Sequence, residues 1–334
     1  MDEKKWSRRK RGKRILFVFL CLAVLIGIGI WQQTNIRCLI YLQAMEGSNG
    51  EEQRKWAREL LELNEPGLSA LVSSLKKADN ERARSIRTVL EELIQNKATP
   101  IEIRRYLGNQ LLENFEDAGT LGQCAALQLM TPLLDTTQGD FTTALRLKIG
   151  ILLKSTEDEI RVQAIGIALR PEINLLSEVL PNLHHPSARV RQGALLALGP
   201  QRDGVESLLT DDDLLRFLHD SDPEVREICK MSLKSRGASD LQISLGKQWT
   251  HPQPGERLKV LVQFPHDDDF SLAPWLERLL HDPDPAMRAG AIRLASENRI
   301  NMIPQLETLR EKDPDQTVRA LAEYYQREML KQSH

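Results

Sequence analysis

The chain has 334 residues, of which 41% are hydrophobic and 28% charged, with a formal net charge of −2. This is the composition of a folded, soluble body and excludes a disordered one, while four scattered cysteines exclude a disulfide-stapled fold. Residues 1–14 hold eight Lys and Arg against Asp2 and Glu3, a net of +6, so the remainder carries −8, which argues against nucleic acid as a partner.

The basic tail, 1–14, leads into a run from Ile15 to Trp31 that contains no charge. As a helix these seventeen residues span roughly 25 Å, somewhat short of the ~30 Å hydrocarbon core, a gap that snorkelling by Lys13 and Arg14 can close. Residues 15–31 are therefore expected to form a single transmembrane helix. The tail sets the N-terminus in the cytoplasm and the body outside it, in the periplasm of a bacterium. A cleaved signal would need small residues at its cleavage site, and Gly27-Ile28-Gly29 is a poor match. A lipoprotein signal would need them before Cys21, where Phe19 and Leu20 stand. Residues 32–50 read as a juxtamembrane segment, with Gly47-Ser48-Asn49-Gly50 as a flexible hinge.

From Glu51 onward the apolar spacing predicts helices in pairs: 51–63 with 68–77, 81–95 with 101–115, and 121–134 with 141–154. Further on, Leu-rich second helices are expected at 173–183, 205–218, 272–280 and 302–309. The first helices share an arginine followed three residues later by a small or apolar residue. The clear cases are Arg54/Ala57, Arg87/Leu90, Arg161/Ala164, Arg191/Ala194, Arg226/Cys229, Arg288/Ala291 and Arg319/Ala322. Gly122/Ala125 and Lys259/Val262 fill the two long gaps, and the nine copies recur every 29 to 39 residues, a solenoid period. Val190, Ala194 and Leu198, and likewise Met287, Ala291 and Ala295, put a small residue at the centre of each apolar face, where another helix can approach closely. Glu157, Asp222, Asp284 and Asp315 each stand four residues before an arginine and are expected to pair with it along one helix face. The stretch 240–249 reads as a poor helix, Thr250 to Gly255 as a break, and 317–330 as a terminal cap.

The junctions carry a turn, an Asp-Pro helix start and an arginine, most plainly in Asp282-Pro283-Asp284-Pro285-Ala286-Met287-Arg288. Paired helices of this period with this junction resemble HEAT repeats, especially the short bacterial HEAT-like form also found in bilin-attaching lyase subunits. The resemblance covers about residues 50–330 and is closest over 156–236 and 282–328. It implies an all-α fold: a right-handed α-solenoid of about eight to nine helix pairs over 51–334, preceded by the single transmembrane helix. It implies a surface for a protein partner and nothing chemical.

The residues agree with a binding role. His184, His185, His219 and His281 fall at the ends of second helices, where a cation suits the helix dipole. Equivalent ladder positions lie too far apart to share a metal. Asp211-Asp212-Asp213 and Asp267-Asp268-Asp269 each precede a helix and read as helix-start carboxylates. No P-loop, dinucleotide fingerprint, nucleophile elbow or zincin motif occurs. We therefore expect a membrane-tethered protein-interaction scaffold without catalytic residues, cofactor, metal or small-molecule substrate. Its partner contacts are expected among the outward residues of the second helices: Arg216, Glu277 and Arg278. The alternatives are a HEAT-like subunit of a lyase-type enzyme, or an exported soluble scaffold after signal cleavage. An enzyme would gather ionisable and aromatic residues in one deep pocket, whereas a scaffold would spread them along a face.

Overall fold

Helices account for every regular element among the described residues of the computed structural model: 32–137, 139–200, 208–265 and 270–332, without the side chains of 330–332. The run from Ile15 to Trp31, its basic tail and Asp267 to Asp269 lie outside these residues. Among the described residues no helix is long and apolar enough to cross a membrane. The chain divides after Asn182 into two compact units.

Unit 1 opens with a helix over 32–46 (α1). It continues with α2 (Gly50–Leu61), α3 (Glu65–Ser74), α4 (Asn80–Gln95), α5 (Ile101–Glu113), α6 (Thr120–Leu134), α7 (Asp140–Leu152), α8 (Asp158–Ala168) and the single turn α9 (Leu176–Val179). Two ladders result: α2 packs on α4, α4 on α6 and α6 on α8, while α3 packs on α5 and α5 on α7. The small-residue slots do what stacking requires, since Ala57, Leu90, Ala125 and Ala164 are all buried. The turn after α1 is not the loose hinge its composition suggests. Ser48 is buried and bonds the Met45 carbonyl, buried Gln53 holds the carbonyls of Met45 and Ser48, and the Gly50 N–H donates to Glu81 at 2.7 Å.

Unit 2 comprises α10 (Ala188–Leu198), α11 (Asp211–Arg216), α12 (Pro223–Ser235), α13 (Asp240–Trp249), α14 (Pro254–Arg257), α15 (Ala273–Leu280), α16 (Pro285–Glu297), α17 (Ile303–Lys312) and α18 (Gln316–Gln332). Helix α10 packs on α12, and α16 on α18, while the second helices α15 and α17 pack on α16 and α18 respectively. Three boundaries depart from the sequence reading. Helix α11 starts at Asp211, after non-helical Leu208 to Thr210, because Thr210 and Asp213 form a capping box there; 205–207 lie outside the described residues. The stretch 240–249 is a regular helix, started by a second capping box between Ser239 and Gln242. Residues 173–183 contribute only α9 and the 3-10 turn Leu180–His184.

The weak copy read as Lys259/Val262 is shifted by two residues. Val260 is fully buried, Val262 is 86% exposed, and Arg257 takes the arginine's place. Residues Leu258–Val262 form a 3-10 helix, with three residues per turn instead of 3.6.

Three arginines of unit 2, Arg191, Arg257 and Arg288, are staples. Arg191 donates from Nε and Nη2 to Asp220 at 2.8 and 2.6 Å, and Arg288 does the same to Asp313 at 2.7 and 2.8 Å. The Nη1 of each bonds two carbonyls of the turn before its own helix, His185 and Pro186 for Arg191 and Asp282 and Pro283 for Arg288. Arg257 reaches Asp282 at 3.3 Å. The receiving aspartates also close their own turns, accepting the N–H of Asp222, Asp284 and Asp315 at 2.8 Å. Each staple thus ties one repeat to the turn that starts the next.

This corrects the expected pairing with the acids four residues earlier. Asp222, Asp284 and Asp315 instead accept first-turn N–H groups of their own helices. A bidentate fork on a buried carboxylate outweighs an exposed i,i+4 pair. Burial opposes the charge on Asp220 and Asp313, but the arginine bonds and the turn amides outweigh it and hold both carboxyls below the usual range. Such a carboxyl adds stability above its unfolded pKa of about 3.9 and loses it as the pH falls through the folded value.

Ala291→Asp is expected to destabilise by several kcal/mol, because it buries an unpaired carboxylate in the slot, whereas exposed Arg293→Asp should change stability by about 0.5 kcal/mol or less. Thermal melts of the two variants compare them directly. Arg288→Met strands the buried Asp313 carboxylate and should cost about 3–5 kcal/mol. Among the described residues Arg226 bonds the carbonyls of Asp220 and Ser221 and no carboxylate, so Arg226→Met should cost nearer 1 kcal/mol by denaturant titration.

Candidate binding groove

The second helices of unit 2 are short and start under tight control, which fixes the side chains they turn outward. In α11 the capping box sets the first turn, and Leu214 and Leu215 go to the core. Asp212 and Arg216, four residues apart, are left facing out. Helix α13 approaches α11 closely: a Cβ on Gly246 would lie 2.4 Å from Leu215 Cδ2, so a larger residue would force the Leu215 side chain to shift. Thr250 Oγ1 closes the end of α13 by bonding the carbonyls of Gly246 and Leu215 at 2.8 and 3.2 Å. In α15 the residues Trp275, Leu276, Leu279 and Leu280 are buried, leaving Pro274, Glu277, Arg278 and His281 outward.

These outward residues line one open cleft of about 900 Å³. Trp249, Pro252, Pro274 and Pro283 supply its apolar surface, while Arg216, Arg257 and Arg278 face Asp212, Glu277 and Asp282. Arg278 Nε lies 3.1 Å from Asp212 Oδ1, and its guanidinium sits 5.2 Å over the ring of Trp275. In a flat stack two helix spacings, roughly 16–20 Å, would part α11 from α15, more than an arginine and an aspartate can bridge. The second-helix side of unit 2 is therefore curved inward at α13.

The pairing within the cleft is incomplete. Gln305 Nε2 donates to Glu277 at 3.2 Å, and Arg257 bonds Asp282. Arg216 is exposed and has no charged or hydrogen-bonded partner among the described residues. Arg257 Nε and Gln305 Oε1 are buried without a partner, and Asp212 Oδ1, though close to Arg278, is not aligned for a hydrogen bond. The cleft thus presents, among the described residues, one free cation, Arg216, beside an aromatic wall. Among the described residues no group of three or more His, Cys, Asp or Glu could hold a metal ion.

All three residues singled out in the sequence, Arg216, Glu277 and Arg278, line this one cleft, although Arg278 is half-buried and paired. Trp249, His251, Arg257 and Gln305 were not singled out; their one signal is the break from Thr250 to Gly255. Cys229 takes no part. It fills a small-residue slot and donates to the Leu214 carbonyl at 3.0 Å, and burial pushes its thiol up to about 12.

Behind the cleft, His219 packs edge-on against His251 at 5.2 Å and donates from Nε2 to the Lys247 carbonyl at 2.8 Å. Burial lowers its pKa, the Lys247 carbonyl opposes the shift, and the neighbouring His251 adds to it. By NMR, His219 should titrate below the usual value of about 6.5. Because the unfolded chain then takes up the proton first, unit 2 should lose stability as the pH falls from about 6.5 through the folded value.

No family model matches the chain, and no curated protein matches it. Among solved structures, the crystal structure of an engineered protein is similar over 88% of each chain, with 16% sequence identity and a TM-score of 0.36.

Proposed function

We propose that this protein is a membrane-tethered interaction scaffold, a right-handed HEAT-like α-solenoid that holds a polypeptide segment in the groove formed by α11, α13, α15 and α17. The observation that carries the reading is Arg216, exposed in the groove and without a partner among the described residues. A cleft that offers an exposed guanidinium at Arg216, unpaired among the described residues, beside Trp249 and three prolines suits a mixed polar and apolar chain. Arg216 favours an acidic side chain on that segment. The other charges balance as Arg257 with Asp282 and Arg278 with Asp212, and they fix the groove's shape. The run from Ile15 to Trp31 supplies the tether, with the solenoid on the extracytoplasmic side.

The test is a photocrosslinking side chain placed in cells at Arg216 or Glu277 in the groove, and at exposed Glu227 on α12 as the control. A discrete protein adduct is expected at the groove positions alone. It should be lost with Arg216→Glu and Glu277→Lys combined, while helicity and Tm stay within the small range of surface substitutions. Adducts at Glu227 but not in the groove would move the binding surface to the first helices.

A further inference from the structure

We infer that the outer face of α1 rests in the interface of a lipid bilayer, so that the array is mounted rigidly on the membrane and does not swing from a hinge. The inference rests on the reading of residues 15–31 as a membrane anchor. Helix α1 is two-faced. Cys38 and Met45 are buried against the repeats, whereas Ile36, Leu39 and Ile40 are 57%, 66% and 55% exposed. Their i, i+3, i+4 spacing gathers them into one apolar stripe that no described residue covers.

The helix is also fixed in direction. Its C-terminal turn is pinned through Ser48 and Gln53, Glu46 meets Arg82 at 3.4 Å, and Tyr41 packs on Trp56 with ring centroids 5.7 Å apart. The stripe therefore points one way relative to α2 and α4. What lies beside it follows from the chain. In the sequence α1 follows directly on the uncharged run closed by Trp31. Ile36 to Ile40 follow Trp31 by five to nine residues, roughly 7–14 Å along a helix. The polar layer on each side of a bilayer is about 5–8 Å deep, so the whole stripe stays within it where α1 leans by roughly 55° or more from the membrane normal, toward the bilayer plane. Exposed Arg37 beside the stripe can reach lipid phosphates. A stripe of three apolar residues is too small for a stable protein interface but suits a helix lying in the interfacial plane.

The test uses the full chain in phosphatidylcholine–phosphatidylglycerol nanodiscs, with Cys21, Cys38, Cys124 and Cys229 replaced by Ala. A single nitroxide label is placed at residue 36, 39 or 40, or at exposed Glu52 as the water reference. Oxygen should relax the labels at 36, 39 and 40 more than a water-soluble nickel complex does, and the order should invert at Glu52. Nickel dominance at all three positions in a disc-bound chain would overturn the inference while leaving the anchor in place. A chain that does not enter the discs would overturn the anchor reading and the inference with it. Dipolar broadening that vanishes on dilution with unlabelled chain would assign the stripe to a second copy, and would overturn the inference too.

Discussion

A repeat of thirty-odd residues cannot bury its apolar face alone, so its stability depends on what holds it to its neighbour. In unit 2 that task falls to a guanidinium that reaches forward to the aspartate of the next turn and back to two carbonyls of its own. Arg191 with Asp220 and Arg288 with Asp313 show the full form, using most of arginine's fixed fork of donors. The same aspartate orders the turn that launches the next helix. One charge pair thereby sets both the spacing of repeats and the start of each first helix. Lysine could not replace the arginine, since a point charge cannot serve a carboxylate and two carbonyls together.

Unit 1 uses a different economy. Its helices are cross-linked by exposed pairs such as Arg58 with Glu92, Lys76 with Asp117 and Arg170 with Asp135. Such pairs are worth little in water, so cohesion there rests on the apolar ladders themselves. The slots agree: Leu90 occupies one position that alanine or cysteine fills elsewhere, and α6 buries residues on nearly every side. Helix α1 joins this unit through the Ser48 and Gln53 bonds.

The helix pairs and their buried slots were legible because a 3.6-residue period and the Asp-Pro starts are local signals. The arginine was legible as a repeated letter, but its partner was not, since the carboxylate it binds stands 25 to 29 residues further on. The slip at 257–262 arose because two basic residues and two valines repeat at the same two-residue offset, and counting by 3.6 fails across a 3-10 helix. The segment from Gly47 to Gly50 has the letters of a loop, and only side-chain bonds from Gln53 and Glu81 reveal that it is pinned. Arg216, Glu277 and Arg278 could be read as outward residues of second helices. Trp249, His251, Arg257 and Gln305 join them only because the chain breaks and curves at α13, which no local pattern encodes.

His251 stands six residues before Arg257, the place that Asp220, Asp282 and Asp313 hold before Arg226, Arg288 and Arg319. It keeps the turn, accepting the Gln253 N–H at 3.2 Å, but it offers Arg226 no carboxylate. Unit 2 therefore has a seam between α12 and α14, a place where cooperative unfolding can divide. The groove opens over that seam. Any ligand that grips α11 and α15 together would supply from outside the cohesion that the missing carboxylate withholds, so occupancy and the integrity of the repeat array would rise and fall as one quantity.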